Sequence, residues 1–220
     1  MKLCKLTSAA LLGAAVMCGA TVAKADGGAF SWTGFYAGLD VGERWSRASV
    51  NIPNYAPTAQ HVQSGNGSAA GGFVGYNYQF NNVVLGIEGD ISGVGGNSVA
   101  LSGNGGTEQY QISESWRSSL RARAGLAFGH SLAYVTGGAA WLRYSTNYLP
   151  LAGVVQTTTA GGWIAGAGLE HAFLTKGNSA LIGRIEYLYA DHGTSNFVHN
   201  GPSSVAYKTQ EVRVGLGVKF

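Results

Sequence analysis

The closing stretch of the chain alternates without a break. Val212, Val214, Leu216, Val218 and Phe220 share one face, while Glu211, Arg213, Gly215, Gly217 and Lys219 share the other. A period of two puts successive side chains on opposite sides of a β-strand. The same signal recurs along the chain and predicts eight strands, near 34–45, 71–80, 83–92, 115–127, 132–143, 162–173, 180–190 and 207–220. In the first, Phe35, Ala37, Leu39 and Val41 oppose Tyr36, Asp40 and Arg44; in the third, Leu85, Ile87 and Ile91 oppose Glu88 and Asp90. The fourth sets Trp116, Leu120, Ala122, Ala124 and Leu126 against Arg117, Arg121 and Arg123. The sixth sets Trp163, Ala165, Ala167 and Leu169 against Gly166, Gly168 and Glu170, and the seventh sets Leu181, Ile185, Tyr187 and Tyr189 against Arg184 and Glu186. The fifth is apolar on both faces, which leaves its parity open; Trp141 outward is the reading adopted.

The connections alternate in length. Asn81-Asn82, Phe128-Gly129-His130 and 174–179 are short, whereas 46–70, 93–114, 144–161 and 191–206 are long and contain Pro53, Pro57, Pro150 and Pro202. Proline removes a ladder donor, so its confinement to the long set fits strands joined by tight turns at one end only.

What the apolar faces look at depends on the compartment. Lys2 and Lys5, an apolar run over 9–20 and the small-x-small triplet Ala23-Lys24-Ala25 have the form of a secretory signal over 1–25, too short in its apolar part to span a bilayer. The expected mature domain is 26–220, with both cysteines, Cys4 and Cys18, left behind in the leader. Removing Lys2, Lys5 and Lys24 from the 14 basic residues leaves 11, equal to the 11 acidic ones, so no basic footprint for nucleic acid survives. An exported chain with 35 glycines, few charges and strictly two-sided strands suits a barrel turned inside out, apolar faces to lipid and polar faces to the lumen. The expected fold class is all-β: an eight-stranded, antiparallel, up-and-down transmembrane β-barrel in the outer membrane.

Aromatic spacing gives a second measure. Phe35 and Trp45, and again Trp163 and Phe173, lie ten residues apart on one face. At about 3.3 Å per residue and a tilt near 45°, ten residues rise roughly 23 Å, close to the apolar band of such barrels. Phe35, Phe80, Phe128, Phe173 and Phe220 fall at one set of strand ends, Trp45, Trp116, Trp163 and Tyr189 near the other.

Trp32-Thr33-Gly34-Phe35-Tyr36-Ala37-Gly38-Leu39, Gly75-Tyr76-Asn77-Tyr78-Gln79, Tyr134-Val135-Thr136-Gly137-Gly138, Gly162-Trp163 with Gly166-Ala167-Gly168-Leu169-Glu170, Glu186-Tyr187-Leu188-Tyr189 and the terminal strand ending in Phe220 resemble the small porin-like outer-membrane β-barrels of Gram-negative bacteria, in particular the surface-antigen and haemin-binding branch of alphaproteobacteria. The resemblance spans every predicted strand. It implies a protein that is a structural surface antigen, a small passive porin or a binder of haemin or a host ligand, with no catalytic motif to carry over. It also implies insertion by the barrel assembly machinery, with Phe220 part of the signal that machinery reads.

Three constellations bear on chemistry. The first is the polar face itself: Asp40, Arg44, Glu88, Asp90, Arg117, Arg121, Arg123, Glu170, Arg184, Glu186, Glu211 and Arg213, with Lys219 beside them. An eight-stranded barrel is just wide enough for side chains to fill, so these groups are expected to pair into a structural ion network, Arg121 and Arg123 with Glu88 and Asp90 across neighbouring strands. The second is the loop histidines His61, His192 and His199, weak candidates for a haem ligand because they share no ligand spacing. The third, Asp191-His192 with loop serines, has a poor geometry for a nucleophilic relay, and glycine tracts at 93–96 and 103–106 lack the strand-to-helix setting of a phosphate loop. The expectation is therefore a non-enzymatic monomer with no cofactor and no metal site. It supports the envelope and presents its loops to the exterior, with lipid, the assembly machinery and an extracellular ligand or host factor as partners.

Overall fold

The structure is a computed structural model and describes residues 30–51, 60–95, 98–102, 109–148, 155–177, 179–198 and 202–220. The expected leader over 1–25 lies outside them. Among the described residues there is no helix. The strands are β1 (Gly34–Asn51), β2 (Gln60–Phe80), β3 (Val83–Gly95), β4 (Ser98–Ser102), β5 (Gln109–Phe128), β6 (Ser131–Tyr148), β7 (Val155–Lys176), β8 (Ser179–Val198) and β9 (Pro202–Lys219). They form one antiparallel sheet in the order β3-β2-β1-β9-β8-β7-β6-β5-β4, which β3–β5 pairing closes on itself. Both β3 and the short β4 pair with β5, so they act as two successive pieces of one barrel strand and eight staves result.

The register fixes the stagger. Tyr36 pairs with Gly75, then Glu88, Arg121, Gly138, Ile164, Ala190, Thr209 and finally Ser46, so one circuit returns to β1 ten residues further on. Ten residues of offset over eight strands spaced about 4.8 Å apart require a strand tilt of about 41°.

The polarity is inverted relative to a soluble barrel. Leu39 is 73% and Leu216 62% exposed, whereas Glu186 and Arg213 are 1% and 0% exposed. Phe35, Phe80, Phe128, Phe173 and Phe220 point outward at the turn ends, and Trp45, Trp141 and Trp163 point outward towards the other. That settles β6: Trp141 outward and Leu132, Tyr134, Leu142 and Tyr144 inward.

The strands run further than alternation suggested. Much of 46–70, 93–114, 144–161 and 191–206, expected as long loops, is strand: β1 continues to Asn51, β2 begins at Gln60 and β7 begins at Val155. Beyond the lipid both faces of a stave meet water, so the apolar half of the pattern vanishes while the ladder continues. The tight turns are as expected, with Asn81 (φ 52°) and Gly129 (φ 61°) in the left-handed region that two-residue hairpins require.

The turn end of the lumen is not polar. Trp32, Val84, Ala127, Leu132, Tyr134, Ala172, Ala180 and Ile182 pack there, with Phe30 against them. The segment before β1 folds inward to supply Trp32. Its backbone N–H donates to Gln79 Oε1 at 2.7 Å, and the Gln79 N–H donates to Thr33 Oγ1 at 2.9 Å. Phe30 stacks on His130 at 5.4 Å, and the Lys219 ammonium lies 5.7 Å from the Phe30 ring centre. A four-residue stopper of this kind has no period for a sequence reading to find.

Candidate functional site

Above the stopper the lumen is crossed by charge. Among the described residues Asp40, Glu88, Asp90, Glu114, Glu170, Glu186 and Glu211 are buried with Arg44, Arg117, Arg121, Arg123, Arg184 and Arg213, and Lys219 is buried beside the stopper, seven acids with seven bases in all. The structure thus places all twelve sequence-singled residues of the polar face inside, joined by Glu114.

Glu88 on β3 is the hub. Arg184 on β8 donates to it twice, from Nη1 to Oε2 at 2.7 Å and from Nη2 to Oε1 at 3.2 Å. Arg121 contacts Oε1 closely, Arg123 Nη1 lies 3.3 Å from Oε2, and the Tyr36 hydroxyl donates to Oε2 at 2.9 Å. Glu186 is a second hub: it accepts from Arg213 Nε at 2.7 Å, from Arg121 Nη1 at 3.1 Å and from the Tyr134 hydroxyl at 2.9 Å. Asp90 takes Ser119 and lies 3.1 Å from Arg121 and 3.4 Å from Arg213; Arg123 pairs with Glu170 at 2.8 Å, and Asp40 lies 3.3 Å from Arg213. Nearer the exterior, Arg117 forks onto Glu211 at 2.5 and 2.6 Å, and Arg44 pairs with Glu114, which also accepts from Tyr207.

The expected pairing of Arg121 with Glu88 and Asp90 is present, since Glu88 and Arg121 are register partners on β3 and β5. Other contacts reach staves across the barrel. β3 and β8 stand opposite each other in the closed order, as do β5 and β9, so Glu88–Arg184 and Arg117–Glu211 each span the lumen. A buried charge is tolerated only when its remaining hydrogen-bonding capacity is met, and bidentate guanidinium–carboxylate pairs meet it best.

Aromatic rings complete the layer. Arg184 lies 3.7 Å from the Phe73 ring centre, and Arg123 lies 4.0 and 5.2 Å from those of Tyr134 and Tyr36. Glycine makes the room: a Cβ at Gly168 would sit 2.6 Å from the Tyr134 ring, and one at Gly75 would collide with Tyr36. Tyr36 and Tyr134 therefore face glycines on the neighbouring staves.

Glu114 was missed in sequence because a bulge between Glu114 and Trp116 shifts the parity of β5. Strict alternation from Arg117 would have sent Glu114 outward. Tyr36 stands on the polar face already in sequence, but its bond to Glu88, like those of Tyr134 to Glu186 and Tyr207 to Glu114, depends on partner strands that the alternation does not reveal.

The remaining candidates are not brought together. His61 lies on β2 opposite Val50, and His199 falls outside the described residues. His192 is buried in the mouth, its ring 6.2 Å from that of Tyr207, which stacks on Tyr144 at 6.1 Å. Asp191 is turned away, pairing with Lys208 at 3.3 Å and accepting from the Gly193 N–H at 2.9 Å, so Asp191 and His192 form no relay. Lys208 stands exposed above the girdle, and its hydrogen bond to Asp191 holds its ammonium above the ordinary lysine pKa. Among the described residues no three His, Cys, Asp or Glu side chains are arranged to hold a metal ion.

A closed sheet with lipid-facing aliphatic staves, two aromatic girdles and a charge-filled lumen defines an outer-membrane β-barrel protein. The chain belongs to the outer membrane protein beta-barrel domain family, whose pattern it matches over residues 9–220. It is 34% identical over 194 residues to the 25 kDa outer-membrane immunogenic protein of Brucella abortus, covering 87% of this chain and 80% of that one. It is also 34% identical over 209 residues to the 31 kDa outer-membrane immunogenic protein of Brucella melitensis (87% and 85% covered), and 30% identical over 193 residues to the 22 kDa outer membrane protein of Rhizobium leguminosarum (86% and 79%). Among solved structures it is similar to the outer membrane protein OprG of Pseudomonas aeruginosa, with a TM-score of 0.48 and 10% identity over 87% of this chain and 98% of that one. The protein resides in the outer membrane, and its Brucella relatives are named outer-membrane immunogenic proteins.

Proposed function

We propose that the protein is a structural, surface-exposed component of the outer membrane. It acts as a monomer, installed by the barrel assembly machinery with Phe220 as part of the signal, and it supports the envelope while presenting its four exterior connections. The observation that carries this reading is the lumen-crossing pair of Glu88 and Arg184, locked at 2.7 and 3.2 Å above an apolar stopper, which favours a brace over a conduit. The Brucella relatives, named as immunogenic, support the surface role.

The test is planar-bilayer conductance of the refolded protein, with a haemin titration followed by absorbance alongside. The brace reading expects no steady channels and no stoichiometric haemin band. Steady unitary conductance would replace it with a small passive porin. A saturable one-to-one haemin spectrum in a silent barrel would replace it with haemin binding through the loops.

A further inference from the structure

Two cations on the lipid side of the barrel have no role in the lumen. Arg47 on β1 and Lys208 on β9 are direct register partners, and both side chains are exposed. Directly opposite residues in an antiparallel pair hold their Cβ atoms about 5 Å apart, and like charges there repel. Lys208 is partly offset by Asp191 at 3.3 Å, but Arg47 has no ion pair or hydrogen bond among the described residues, so the group keeps a net positive charge.

Their height gives the repulsion a use. Arg47 stands two residues beyond the outward Trp45, and Lys208 two beyond Gln210, the register partner of Trp45. With the tilt given by the register, two residues rise about 5 Å. Girdle tryptophans mark the upper edge of the apolar band, so the two cations lie in the headgroup layer of the outer leaflet. A phosphate ester carries one to two negative charges there and offers several oxygens. A planar guanidinium takes two of those oxygens at once, and an ammonium takes a third as a point charge. On β2, Ser64 pairs with Arg47 in register and is exposed on the same face.

We propose that Arg47 and Lys208 form a binding site for the phosphate group of an outer-leaflet glycolipid, clamped across β1 and β9 just above Trp45. The lipid phosphate neutralises a like-charge pair that the protein alone compensates only in part, through Asp191. Arg143, exposed on β6, has no cationic register partner, facing Trp116 and Thr159, and is not part of the site.

The full barrel in nonionic detergent, titrated with bisphosphorylated lipid A and with the same lipid after phosphatase treatment, tests this directly, with native mass spectrometry reading bound lipid. Arg47→Gln and Lys208→Gln are each expected to weaken binding of the phosphorylated lipid about tenfold, the loss of one charge-assisted contact. Arg143→Gln should leave it unchanged, Asp191→Asn should tighten it, and the dephosphorylated lipid should bind all variants alike. Arg47, Lys208 and Arg143 are exposed and Asp191 is half-buried, and heat-modifiable migration on gels confirms that each variant folds. Equal binding by Arg47→Gln and the parent protein overturns the site. An equal loss in Arg143→Gln reduces it to a general basic belt, and displacement of the lipid by low millimolar inorganic phosphate reduces it to an ion site; either result overturns the proposal.

Discussion

Arg184 and Glu88 face each other from opposite staves of the barrel and meet through two hydrogen bonds, at 2.7 and 3.2 Å, with the Arg184 guanidinium lying on the Phe73 ring. Truncating Arg184 removes two of the hydrogen bonds that satisfy buried Glu88 and leaves its charge to Arg121, Arg123 and Tyr36. Arg184→Met is therefore expected to cost about 3–5 kcal/mol of stability in micelles, as for other broken buried pairs. Arg184→Met with Glu88→Gln should cost less than the sum of the single changes, because the carboxylate left short of a partner is then uncharged. A double-mutant cycle of urea unfolding measures the coupling, and additive energies would mean that the pair contributes nothing as a pair.

Trp32 closes the turn end of the lumen at 0% exposure. Trp32→Ala should destabilise the barrel by about 3 kcal/mol, as large-to-small changes at buried aromatics do. It should also admit solvent. With the chain expressed from residue 26 and therefore free of cysteine, a single Ile182→Cys should resist a small polar thiol reagent and react markedly faster once Trp32 is Ala. Equal labelling rates would show that the tryptophan fills space without sealing it.

Lipid and lumen faces should respond oppositely to the same chemistry. Leu216→Arg places charge on the lipid face and should cost about 2–4 kcal/mol near mid-membrane. Among the glycines, Gly168→Ala should be harmful, because its Cβ would stand 2.6 Å from Tyr134, and Gly137→Ala mild, because its nearest neighbour is 3.5 Å away. Unfolding midpoints of the three variants provide the comparison, and a reversed order of the two glycines would contradict the lumen packing described above.

Phe220 lies exposed beyond the end of β9, its N–H donating to the Phe35 carbonyl at 2.8 Å. Deleting it removes one girdle aromatic, one backbone hydrogen bond and the aromatic end of the terminal strand. The expected result is reduced outer-membrane accumulation with retained heat-modifiability of whatever inserts. Unchanged accumulation would separate Phe220 from assembly.

Parity is a local property, which is why so much of this barrel is legible from the chain alone. Leu39 against Asp40, or Ile185 against Glu186, declares an inside and an outside without knowledge of any other strand. The partners are a different matter. That Glu88 meets Arg184 depends on eight strands, an offset of ten residues and the resulting opposition of β3 and β8, none of which is encoded near either residue. Glu114 escaped because one bulged residue reverses the count, and Trp32 escaped because a short tucked segment has no repeat. Strand length was underestimated for a third reason: outside the lipid, hydrogen bonding persists while the hydrophobic contrast that reveals it disappears.

Among the described residues the lumen buries as many acids as bases, which has an electrical consequence. A membrane potential does work only on net charge or on a dipole that can turn, at about 2.3 kcal/mol per elementary charge per 100 mV. Seven carboxylates paired with six guanidiniums, in contacts several of which cross from wall to wall, have little freedom to turn, and the Lys219 ammonium sits apart from them at the Phe30 ring. The paired interior charges therefore give a potential across the outer membrane little to move.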